Sequence, residues 1–78
     1  MITCEEIYSL HTSKTPESDI HVAYRDIPLD SRNGMRKNDT PLHVACTFAD
    51  EDAVRILLER GADVNVKNNE KLDIYYKG

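Results

Sequence analysis

Seventy-eight residues, 40% of them hydrophobic, allow one small domain, and a single core of that size is marginal without disulfides, metal or added contacts. Ten basic and 14 acidic side chains leave a formal charge of -4, which lacks the broad positive excess of a nucleic-acid binder and singles out no class of partner. Cys4 and Cys46 stand without a CxxC pair or a Cys/His cluster, and read as reduced, half-buried thiols in preference to zinc ligands or a structural disulfide.

The chain opens on MITCEEIYSLH, with acids where a secretory leader carries basic residues, and no apolar run approaches the ~18 residues needed to cross a bilayer. The expectation is a soluble, cytoplasmic protein. Thr3 and Glu6 have the spacing of a capping box, opening a predicted helix with Ile7, Leu10 and His11 on one side. Thr15-Pro16-Glu17 reads as a second cap, opening a helix through Ile20, Val22 and Ala23. Arg32, Arg36 and Lys37 then form a basic cluster around Asn33-Gly34. A solvated loop tip is its plainest reading, contact with an acidic partner comes second, and nucleic acid last, because no aromatics interleave the cations.

The clearest signals lie between Thr40 and Asn65. Thr40 is a natural N-cap, and Pro41 takes the first helical position, where its missing N–H is no loss. Leu42, Ala45, Cys46 and Ala49 recur at three- and four-residue intervals, giving a short helix with a narrow apolar face. Asp50, Glu51 and Asp52 can cap a second helix and set negative charge at its positive end. Val54, Leu57 and Leu58 form that helix's core stripe, with Ile56 able to pack sideways. Gly61 follows the last periodic residue, where a left-handed C-cap favours glycine.

Together NDTPLHVAC and AVRILLERGADVNVKN resemble an ankyrin repeat, whose period is about 33 residues and whose signature includes T-P-L-H-x-A. Two positions depart from that pattern. Asn38 and Ala49 stand where the family favours glycine; asparagine tolerates a left-handed backbone, whereas alanine costs about 1 kcal/mol if φ at position 49 is positive. The resemblance implies an all-α fold of helix-turn-helix repeats, stacked as a short solenoid with β-hairpin fingers. Residues 38–69 would be the repeat. Residues 1–37 would be a degenerate N-terminal capping repeat with a long finger, since Leu29 to Asn33 echo Val64 to Asn68 at an offset of 35. Residues 70–78 would be a truncated further repeat or a tail, with Asp73-Ile74-Tyr75-Tyr76 in place of Thr-Pro-Leu-His.

His43 is explained by the same resemblance, in which the motif's histidine bonds near the preceding threonine and the finger backbone. His11 and His21 read as surface or rim residues. Consecutive Asp50, Glu51 and Asp52 point in different directions on a helix, so a solvated helix start is favoured over a metal site or a catalytic pair. The chain contains no phosphate-cradling Gly-rich loop, no G-x-S-x-G and no zinc spacing, so no enzyme, cofactor or metal site is expected.

The resemblance instead implies a protein-binding module that uses finger tips and the exposed side of the first helix. Carried onto this chain, those positions are Arg36, Lys37, Asp39, Thr47 and Phe48. Phe48, the chain's single phenylalanine, falls where the family tends to be polar and exposed; the alternative is that it folds back over a neighbouring repeat. Three further expectations complete the reading. The chain could serve as the N-terminal scaffold or cap of a longer ankyrin protein, it could associate with itself through exposed repeat ends, and a nucleic-acid contact by the basic finger ranks last.

Overall fold

Four short helices carry the fold in the computed structural model, which describes residues 2–69: α1 (Cys4–Thr12), α2 (Glu17–Asp26), α3 (Pro41–Thr47) and α4 (Glu51–Glu59). The all-α expectation agrees with this. The tail expected at 70–78 lies outside the described residues.

Local chemistry sets most of the helix boundaries. The Thr3 hydroxyl accepts the Glu6 amide at 3.2 Å and donates to the Glu6 carboxylate at 3.3 Å, closing the start of α1. Thr40 caps α3, and His43 fills the role that Glu or Gln plays in a capping box: its Nδ1 accepts the Thr40 amide at 3.1 Å. Asp50 caps α4 by accepting the Ala53 amide at 3.1 Å, with Glu51 and Asp52 in the first turn. The start of α2 differs from expectation. Pro16 itself holds the N-cap position in an extended conformation, with no side-chain cap, and the Thr15 hydroxyl pairs with Ser13 at 2.8 Å.

Both helices of the second pair end in the same way. Ala49 is left-handed at φ 53°, and the Asp50 and Ala49 amides donate to the carbonyls of Ala45 and Cys46. Gly61, at φ 94°, repeats this, with the Ala62 and Gly61 amides on Leu57 and Leu58. These are two Schellman motifs, one built on the residue that favours the conformation and one on alanine, which does not.

Helix α1 packs on α2 and α3, while α4 packs on α2 and α3. The core between them includes Ile7, Ile20, Tyr24, Val44, Val54 and Leu57. In α2 the buried stripe is Ile20 and Tyr24, four residues apart; Val22, two residues from Ile20, falls on another side and is 51% exposed. Cys4 is fully buried and Cys46 partly, both as free thiols.

The loop between α2 and α3 forms no strand among the described residues. It is a turn closed by a single antiparallel bridge between Asn33 and Asp39, with the Asn33 amide on the Asp39 carbonyl at 2.8 Å. Consecutive left-handed residues, Lys37 at φ 56° and Asn38 at φ 58°, reverse the chain so sharply that one bridge takes the place of the expected β-hairpin ladder. Residues 67–69 lie against this loop, with Arg32 Nη1 donating to the Lys67 carbonyl at 2.7 Å and the Asn69 amide to the Lys37 carbonyl at 2.7 Å.

Candidate protein-binding surface

The expected contact residues occupy the α2–α3 loop and the end of α3. Arg36 is exposed, and its guanidinium carbon lies 4.3 Å from the centroid of the Tyr8 ring, a cation–π contact reaching from the loop to α1. Lys37 is exposed on left-handed backbone. Asp39 is half-buried and structurally engaged: its carboxylate accepts Asn68 Nδ2 at 2.8 Å, and its carbonyl takes the Asn33 amide and the Cys4 thiol. Thr47 is exposed, with its hydroxyl donating to the His43 carbonyl at 2.8 Å. Phe48 is half-buried as the C-cap of α3, its ring stacked on His11 at 4.3 Å and edge-on to Tyr8 at 5.2 Å.

Arg36, Tyr8, Phe48 and His11 therefore form one continuous strip across the loop, α1 and α3. Its inner end is anchored by a 2.7 Å hydrogen bond between His11 Nε2 and the buried Tyr24 hydroxyl. Burial holds His11 below its ordinary pKa, against a smaller opposing pull from Asp50, and burial likewise pushes Tyr24 upward, so both groups favour their neutral forms. His21 is also half-buried, paired with Asp50 at 2.9 Å. Both histidines are half-buried, with partners that sequence spacing did not announce.

Below the strip, a cleft of about 500 Å³ opens between the α1–α2 turn and the α3–α4 turn. His11, Ile20 and Phe48 line it together with Glu17, Asp50, Glu51 and Asp52, which makes its walls acidic. Among the described residues no three His, Cys, Asp or Glu side chains converge in a way that could hold a metal ion.

The motif that places Thr47 and Phe48 matches a family model described as Ankyrin repeat, over residues 37–69. The chain carries an ankyrin repeat. It is also 53% identical over 34 residues to human ankyrin repeat and SOCS box protein 5, a stretch covering 44% of this chain and 10% of that relative. No solved structure matches the chain significantly. Within the ankyrin repeat, buried His43 has the structural place expected of the motif's histidine, bonded to Thr40 through both amide and hydroxyl. Lys37, Asp39, Thr47 and Phe48 belong to the repeat, and Arg36 directly precedes it. Tyr8 and His11 come from α1, outside the motif, so the motif gave no sign that they complete the strip.

Proposed function

We propose that this chain binds a protein partner through its loop tip and the end of α3, using Arg36, Lys37, Asp39, Thr47 and Phe48. Ankyrin repeats are protein-interaction folds that act by presenting surfaces, and non-catalytic binding is the reading that follows for this chain. The observation that carries the site is the strip in which Arg36 stacks on Tyr8 and Tyr8 meets Phe48, because aromatic and arginine side chains held by neighbours make effective interface anchors. Residues 1–37 serve as a degenerate capping repeat. The contacts of α1 with α3 and of α2 with α4 support a short stacked solenoid.

A second reading is favoured by the way Phe48 leans on His11 and Asp39 is consumed inside the loop: the segment acts as the cap of a longer ankyrin array, with no partner of its own. A nucleic-acid contact gains little support, since Arg32, one of the three expected cations, is engaged with the carbonyls of Asn38 and Lys67. No helix among the described residues is long and apolar enough to cross a membrane, and a cytoplasmic setting fits the free thiols.

Affinity capture with the intact chain, Arg36→Ala and Phe48→Ala, scored per folded molecule, tests the reading. Loss of the same captured protein by both variants is the expected result. Capture that is unchanged in both, with only Phe48→Ala lowering the melting temperature, would leave Phe48 as packing alone and support the cap.

A further inference from the structure

Among the described residues, the guanidinium of Arg36 is held in place without spending its hydrogen-bond donors. It lies over the Tyr8 ring at 4.3 Å. A guanidinium laid on an aromatic ring keeps its edge N–H groups directed outward, in a fork that matches a carboxylate. Arg32, four residues earlier, shows the opposite state, with its Nη1 donating to two backbone carbonyls.

The loop beneath Arg36 is also pre-ordered. The Met35 amide donates to Asn33 Oδ1 at 3.0 Å, the Arg36 amide to the Asn33 carbonyl at 3.0 Å, and the Asn33 amide to the Asp39 carbonyl at 2.8 Å. On this fixed tip Met35 is 88% exposed, the most exposed large hydrophobic side chain of the described residues. A thioether on a rigid loop offers an adaptable apolar contact while its backbone loses little freedom on binding.

We propose that Arg36 stacked on Tyr8, with Met35 beside it, is a docking point for an acidic protein segment, in which an Asp or Glu carboxylate meets the Arg36 fork and a neighbouring apolar side chain covers Met35. This inference rests on the loop-tip reading above and adds the chemistry of the partner. A protein carboxylate fits better than a nucleic-acid backbone, which needs several cations in a row. The acidic cleft beyond Phe48 further steers an acidic segment towards the Arg36 end of the strip.

The test selects peptides from a displayed random library on the immobilised full chain. Each enriched peptide is then measured by fluorescence anisotropy against wild type, Arg36→Ala, Arg36→Lys and Met35→Ala, with melting curves confirming that each variant folds. Enriched peptides should carry Asp or Glu next to a large apolar residue. Arg36→Ala should weaken binding about tenfold or more, with Arg36→Lys intermediate because lysine keeps the charge and loses the fork. Met35→Ala should weaken it by a smaller factor. Peptides that bind Arg36→Ala as well as wild type, or that are rich in Lys and Arg, would overturn the docking point while leaving a peptide-binding module standing. No enrichment over a blank surface would overturn the binding reading and this inference together.

Discussion

Cys4 shows how burial decides the chemistry of a single residue. Its thiol donates to the Asp39 carbonyl at 3.2 Å, and burial, reinforced by the nearby charges of Asp39 and Glu5, pushes its pKa up to about 12. In a Cys46→Ser background Cys4 should react with a disulfide reagent near pH 8 only as fast as the protein opens. In Cys4→Ser, partly exposed Cys46 should react sooner; equal rates in the two variants would contradict the packing. Because folding raises the Cys4 pKa, its contribution to stability is full below 9.0 and is lost as pH rises towards 12. His11 has the opposite sign. Folding lowers its pKa, so its contribution is full above 6.5 and is lost as pH falls through the folded value. Replacement by Gln should therefore flatten the acid limb of the stability profile below pH 6.5, and an unaltered limb would show that His11 is not held neutral by its place between Tyr24 and Phe48.

At the level of the elements, the repeat's caps were legible because each depends on one residue type at one place. Thr40, Asp50 and Gly61 all sit where their chemistry predicts, and Ala49 has the left-handed backbone that was its conditional cost. Ala49→Gly should accordingly stabilise the protein by about 1 kcal/mol, seen as a rise in melting temperature of roughly 4–8 °C for a domain of this size. A decrease would mean that the alanine methyl is needed for packing. Gly61→Val should act in the other direction, since a β-branched side chain at φ 94° is strained even though the space around it is open. Leu57→Ala should cost about 2–5 kcal/mol by leaving a cavity in the core, and an unchanged melt would remove Leu57 from it. Helix α2 was less legible. A Thr-Pro pair does not say which of its residues caps, and a helix traced through Ile20, Val22 and Ala23 did not single out Tyr24, which is buried on α2 where that helix packs on α4 and whose carbonyl accepts Arg60 at 2.8 Å.

Across the whole molecule, the candidate surface was readable only in part, because its halves are brought together by packing and not by spacing. Phe48 and Arg36 could be named from the repeat and the loop ahead of it, but Tyr8 and His11 lie far away in the chain and reach them only through the contact of α1 with α3. The same fold leaves few repeats to share a core, and stacked repeats gain most of their stability from neighbours, about three being needed. Thermal unfolding should therefore give a low midpoint or one that rises with protein concentration; a high, concentration-independent midpoint for a monomer would show that two helix pairs suffice. Binding is the central claim, and amide chemical-shift mapping of the labelled chain with a selected acidic peptide tests it most directly. Shifts concentrated at residues 34–39, Thr47 and Phe48 are the predicted result, whereas shifts confined to Glu17 and residues 50–52 around the acidic cleft would contradict it.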